Sequence, residues 1–291
     1  MNEVALRDAA TVMLVRDGAG GLEVFMLRRT PNAAFAGGAY VFPGGSVDGA
    51  DRSTELESYC AGRTDADASQ VLGVDRGGLA FWVAAVRESF EEAGVLLAYD
   101  SCGELVRLDQ DGVAERFRTH RADIDHGRRL LIDVCAEEEL RLAVDGIHYF
   151  SHWITPPGQL RRFDTRFFVA RAPAGQEALH DDAETVESRW IRPADALEAH
   201  RQGDIDLIVP TIRNLMALDR FERTAELVAT AAAATDIPTM QPRVVLDGGG
   251  VRIVLPGDAE YGEALVPSAP LSEAVPLPGR PGGPSIPGLR S

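Results

Sequence analysis

The chain has 291 residues, 45% of them hydrophobic and 25% charged, which is ample for a sizeable core in one large domain or two small ones. Its formal net charge of −16 argues against nucleic acid as a partner, and all 29 basic residues are Arg, which excludes a P-loop lysine or a Schiff base. No apolar run is long enough to cross a bilayer and the first residues lack signal-peptide character, so no membrane partner is expected. Cys60, Cys102 and Cys135 are too few and too widely spaced for zinc or a disulfide framework, and the expectation is a reduced, cytoplasmic protein.

Taken in chain order, residues 9–15 and 22–27 are apolar runs around a Gly-rich turn and predict two strands. Residues 35–45 are Gly-dense around a short apolar strand, a composition that signals close approach of backbone to something else. Residues 51–78 are polar and read as an insertion, partly helical over 54–61. A clear helical pattern runs over 79–93 and ends at Gly94, the place of a C′ glycine. A second helix is expected over 132–144, followed by strands over 146–154, 162–171 and 187–191. Pro193 opens a helix over 194–200, and 205–232 reads as mostly helical. Residues 243–246 and 251–255 predict a hairpin. Eight of the 17 prolines lie from Pro256 onward, so the segment 256–291 is expected to be an extended or disordered tail rather than a second domain.

The chemistry concentrates in Arg87-Glu88-Ser89-Phe90-Glu91-Glu92-Ala93-Gly94-Val95. On a helix, with Glu88 as zero, Glu92 lies at about +40° and Glu91 at about −60°, while Leu79, Val83, Val86 and Phe90 lie at roughly 160° to 220°. One face therefore buries aliphatic bulk and the other presents three carboxylates that repel one another. Arg87, one turn before Glu91, or a divalent cation offsets that repulsion. Carboxylate oxygens are hard ligands suited to Mg²⁺ or Mn²⁺ rather than zinc. On this segment alone, a solvated acidic face is the preferred reading.

The context upstream decides between them. The chain resembles the Nudix hydrolases, whose box runs G-x5-E-x7-R-E-U-x-E-E-x-G-U, with U a bulky apolar residue. Residues 87–95 match its second half and Phe42-Pro43-Gly44-Gly45 leads into the first, with Gly45 as the first box glycine. Three departures stand out. Ser89 replaces an apolar residue, Asp51 falls where the box has Glu, and 35 residues separate Asp51 from Arg87 where the ordinary box has seven. An insertion at this point marks the branch that includes the animal peroxisomal CoA diphosphatase and its bacterial relatives. Leu27-Arg28-Arg29-Thr30-Pro31, Trp153-Ile154-Thr155-Pro156 and residues 161–168 also resemble that branch, so the likeness spans residues 9–255.

The resemblance implies a Nudix-type α/β/α sandwich with a mixed central sheet over residues 1–255. It implies a metal-dependent hydrolase that cleaves the diphosphate linkage of a nucleoside-diphosphate-linked small molecule, CoA or acyl-CoA among them. Alternatives are dinucleotides or nucleotide sugars (NADH, ADP-ribose) and a non-catalytic nucleotide sensor, against which the intact Glu88, Glu91 and Glu92 argue. These three would hold Mg²⁺ or Mn²⁺, Arg87 would orient Glu91 through an i,i+4 pair, and Gly44 or Gly45 would let the diphosphate approach. A general base is often a carboxylate in a loop before a late Trp-bearing strand. In 180–190 that favours Glu184 over Glu187, with a box glutamate as the alternative. Arg28, Arg29, Arg161 and Arg162 are candidate phosphate anchors. Phe163, Phe167 and Trp153 read as core, and the six histidines as structural or surface residues. The insertion is a candidate for capping the substrate or for a homodimer contact.

Overall fold

A computed structural model describes residues 4–33, 36–157, 159, 161–181, 184–247, 250–262 and 264. Residues 265–291 of the expected tail lie outside these, as do Phe35, Gly158, Asp182, Ala183, Gly248 and Gly249 of expected turns and loops. The strands are β1 (Leu6–Gly18), β2 (Gly21–Arg29), β3 (Tyr40–Val41) and β4 (Gly44–Ser46), followed by α1 (Asp65–Leu72), α2 (Leu79–Ala93) and β5 (Ala98–Tyr99). Then come α3 (Val113–Asp125), α4 (Leu131–Glu137), β6 (Arg141–Leu142), β7 (Ile147–Ile154), β8 (Arg162–Arg171) and β9 (Thr185–Ile191). The chain continues with α5 (Pro193–Gln202), α6 (Val209–Leu218), α7 (Thr224–Ala233), β10 (Thr239–Met240), β11 (Arg243–Asp247) and β12 (Gly250–Val254).

Eight strands form one mixed sheet in the order β10-β7-β8-β1-β2-β3, with β4 also paired to β1 and β9 to β2. The pairs β1–β8 and β7–β10 are parallel and the others antiparallel. Successive side chains of β1 point to opposite faces. Ala10, Val12 and Leu14 pack with α2, α3 and α4, whereas Met13 and Val15 pack with α5, α6 and α7. Helices thus cover both faces, and the α/β/α sandwich read from the sequence is the observed architecture.

Three expectations change. The helix expected over 132–144 stops at Glu137, because Glu139 takes a left-handed φ of 53°. Beyond it Leu140 and Leu142 are buried at a period of two, and β6 pairs with β5. The helical stretch over 205–232 divides in two, with α7 started by Asp17, whose carboxylate accepts the Thr224 N–H at 2.8 Å. α3 escaped notice because only Phe117, His120 and Ile124 of its thirteen residues are buried.

The insertion is an ordered support for α2. It holds a 3-10 helix over Thr54–Tyr59 and then α1, which opens on a capping box between Thr64 and Asp67. The start of α2 lacks a cap of its own at Gly78, so the insertion provides one. Asp65 accepts the Leu79 N–H at 3.0 Å and the Gly77 N–H at 2.9 Å, and Ser69 Oγ accepts the Gly78 N–H at 2.9 Å. The Arg63 guanidinium lies 4.6 Å over the Trp82 ring. Residues 256–262 of the expected tail are folded back toward the β11–β12 hairpin: Tyr261 donates from its hydroxyl to the Gln241 carbonyl at 2.8 Å and stacks under Arg243.

Candidate active site

α2 carries its acids in its last two turns, and an arginine fork organises them. All five N–H groups of Arg87 are used. Nε and Nη2 grip both oxygens of Asp51 at 2.9 Å each, Nη2 also donates to the Ser46 carbonyl at 2.8 Å, and Nη1 donates to Glu88 at 2.9 Å and Glu91 at 2.8 Å. The expected Arg87–Glu91 geometry is present. Sequence reasoning missed that the same guanidinium ties Asp51, on the far side of the insertion, to the helix. The bidentate pair with Asp51, itself 4% exposed, is the kind of contact a lysine cannot reproduce.

The helix is buried on every side except at Glu91, so the amphipathic reading understated its burial. This follows from its neighbours: the sheet on one side, the insertion at its start, and α3 at its end, where Arg121 Nε donates to the Glu91 carbonyl at 2.9 Å. Burial raises the Glu88 carboxyl from 4.5 to about 8, against the pull of Arg87. Burial likewise raises Glu91, and it raises Glu92 well above the ordinary carboxylate range, with Glu88 adding repulsion. Three carboxyl groups whose ionisation is opposed this way form a receptive site for a hard divalent cation.

The glycines explain how carboxylates of one layer reach a cavity floored by the opposite sheet face. Gly44 N–H donates to Glu92 at 2.8 Å. A Cβ on Gly45 would stand 2.4 Å from Glu88 Oε1, and one on Gly44 would stand 2.5 Å from the Ala10 carbonyl oxygen. At this edge strand the missing side chains open the way to the acids. The carboxylate oxygens and the cradle at Gly45 fit Mg²⁺ or Mn²⁺.

A cavity of about 650 Å³ brings together Arg29, Gly44, Gly45, Glu88, Glu91, Glu92, Arg161 and Glu184. Arg87 stands behind the carboxylates and does not line it. Arg28 and Arg162 are not brought to it either. Arg28 lies 3.7 Å from Glu187, and Arg162 is buried with its guanidinium on the carbonyls of Thr155 and Val4. Strand alternation separates Arg161 from Arg162, a distinction that treating them as a pair overlooked. Glu184 is exposed, with its carboxylate 3.5 Å from Arg29. Asp181 fixes that loop by accepting the Thr185 N–H at 3.0 Å and its hydroxyl at 2.9 Å. Glu187 is held by Arg28 and Arg189 outside the cavity.

Asp48, Asp125 and Asp181 also line the cavity and were not singled out from sequence. Asp181 sits in the loop already suspected, but nothing local marks Asp125, which arrives on α3. Trp153, Phe163 and Phe167 were read as core. Trp153 and Phe167 are indeed buried, yet all three form cavity wall. The insertion lines none of it. His120 also departs from expectation, since it gathers with Glu137 and Glu138 in a group with metal-ligand spacing. Arg116 and Arg129 already neutralise those two acids, and a salt-bridged cluster accounts for the geometry.

Comparison with known proteins agrees with this arrangement. Residues 63–218 match the family model of the NUDT19 Nudix domain. The chain is 28% identical over 274 residues to the acyl-coenzyme A diphosphatase NUDT19 of Homo sapiens, covering 84% of this chain and 73% of that one. It is 27% identical to the Xenopus laevis protein of the same name, covering 83% and 72%. The structure is similar to the crystal structure of a Nudix hydrolase from Alicyclobacillus acidocaldarius, with a TM-score of 0.65, 27% identity, and 79% of this chain and 99% of that one covered. With the box carboxylates, the fork and the glycine edge in register, the chain belongs to the NUDT19 Nudix domain family of Nudix hydrolases.

Proposed function

We propose that the protein is a divalent-metal-dependent diphosphatase of coenzyme A and its acyl thioesters. The observation that carries this reading is the set of three buried carboxyls, organised by one guanidinium and opening past a glycine edge into a single cavity. The similarity to proteins named acyl-coenzyme A diphosphatase supplies the substrate class.

In this reading Glu88, Glu91 and Glu92 hold Mg²⁺ or Mn²⁺, and Arg87 fixes their directions. A metal held there would supply charge neutralisation at the diphosphate oxygens and a more acidic water. Gly44 and Gly45 let the diphosphate approach the acids, Arg29 holds its oxygens from the cavity wall, and Arg161 lies further along the same cavity. Glu184 accepts the proton of the attacking water. Its carboxylate is exposed at the cavity wall, 3.5 Å from Arg29. Free thiols at Cys60, Cys102 and Cys135 suit a reducing, cytoplasmic setting, and no described helix is long and apolar enough to cross a membrane.

The test is a mass-spectrometric product screen over CoA, octanoyl-CoA, NADH and ADP-ribose, with and without Mg²⁺ or Mn²⁺. Metal-dependent cleavage of the CoA compounds is expected. Faster cleavage of NADH or ADP-ribose overturns the substrate reading, and ligand binding without any turnover overturns the enzymatic one.

A further inference from the structure

The cavity changes character along one direction. Its floor is a run of paired residues on one sheet face: Ser46 on β4 opposite Ala9 on β1, Ala9 opposite Thr165 on β8, and Thr165 opposite Trp153 on β7. Three strand spacings of about 4.8 Å place Trp153 roughly 14 Å from the glycine edge where the acids emerge. Phe163 and Phe167 flank Thr165 on the same face, as alternation requires. Val209, at the start of α6, adds a further apolar wall. Beyond Trp153 the sheet continues into β10, and the chain then turns through Pro242 into the β11–β12 hairpin, whose Ile253 completes the wall. Six residues, Trp153, Phe163, Phe167, Val209, Pro242 and Ile253, form this apolar wall, and the polar side chains that border it, Thr155, Gln159 and Arg161, come from the β7–β8 connection. The carboxylates that line the cavity come from Asp48 just after β4, from α2, from Asp125 on α3, and from Asp181 and Glu184.

We propose that this far end holds the acyl chain of the substrate, which makes the C-terminal hairpin a specificity element. The inference rests on the CoA reading above and deepens it. A nucleoside is joined directly to the diphosphate, and its base needs polar partners at its edges. A site about 14 Å away, with aliphatic and aromatic walls, suits instead the terminus of a long arm. An acyl chain there gains by leaving water and asks for no hydrogen bonds. Pro242 and Ile253 lie beyond residues 63–218 that match the family model, so selectivity at this end is set by a segment separate from the box.

The test compares kcat/KM for octanoyl-CoA and CoA in the wild type and in Ile253→Asp, with thermal unfolding of each. The wild type should favour octanoyl-CoA by at least ~10-fold, and Ile253→Asp should bring that ratio close to one, mainly through KM for octanoyl-CoA. Should the hairpin variant unfold, Phe163→Ser carries the same comparison from β8. A ratio unchanged in a folded variant, or equal losses on both substrates, overturns the acyl-site proposal and leaves the CoA reading standing. A wild type that cleaves neither CoA compound but does cleave ADP-ribose overturns both.

Discussion

The two ends of α2 are built to opposite purposes. At its start, the N–H groups of Gly77, Gly78 and Leu79 donate to Asp65 and Ser69 of the insertion, and the Trp82 indole N–H donates to the Ile147 carbonyl at 2.9 Å. At its end, three carboxyls are forced into low-dielectric surroundings with one arginine among them. The first end stabilises the fold. The second opposes the ionisation of its own carboxyls, a cost that the proposed metal would offset. A single rigid helix can carry both because the insertion and the sheet hold its start, so the strain at its end does not unwind it.

The comparison is broken most sharply at the acidic end. Glu91→Gln or Glu92→Gln should reduce turnover at least ~100-fold with no loss of thermal stability, since each amide oxygen still accepts the bond its carboxylate accepted. Near-normal rates in both variants would remove the metal assignment. Glu184→Gln should cost about 100-fold in kcat with KM little changed; an unaltered kcat excludes it as base.

A linkage measurement sharpens the contrast further. Burial raises Glu88 to about 8 in the folded protein, so the native state keeps a proton that the unfolded chain gives up. That contribution is full below pH 4.5 and is lost as pH rises towards about 8. In metal-free protein, Glu88→Gln should therefore gain in unfolding temperature relative to the wild type between pH 5 and 8 (roughly 5 and 8 being the span of the shift), and Mg²⁺ should stabilise the wild type more than the variant. A pH-independent difference would refute the buried-carboxyl account. The smallest effect belongs to the start of the helix. Asp65→Ala should cost about 1 kcal/mol, or ~2–4 °C in unfolding temperature, with activity within about twofold of the wild type. A large activity loss at unchanged stability would show that the insertion acts on the chemistry directly.

Legibility followed the range of the interactions. α2 and its Gly94 terminus, β8, and the β1–β2 hairpin were plain from period and turn residues, because each is set by near neighbours in the chain. The helix wrongly carried through to residue 144 shows where that fails: the spacing of Leu140 and Leu142 answers to β5, which a local window does not see. Arg161 and Arg162 looked alike until pairing in β8 sent one to the cavity and the other into the interior. The aromatic wall was read as core for the same reason, since a residue that packs on one side and faces a cavity on the other has no distinct pattern in sequence.

The box residues were enough to identify a Nudix hydrolase and to place Glu88, Glu91 and Glu92 beside Arg87 on one face of a helix, because that grouping depends only on a spacing of three and four residues. What required the folded chain was every relation across layers: the Asp51 fork, the reach of Glu88 and Glu92 past Gly44 and Gly45, Asp125 arriving on α3, and the hairpin closing the far end of the cavity. Those contacts join residues tens to hundreds of positions apart, and only packing of the sheet between its two helical layers brings them within bonding distance.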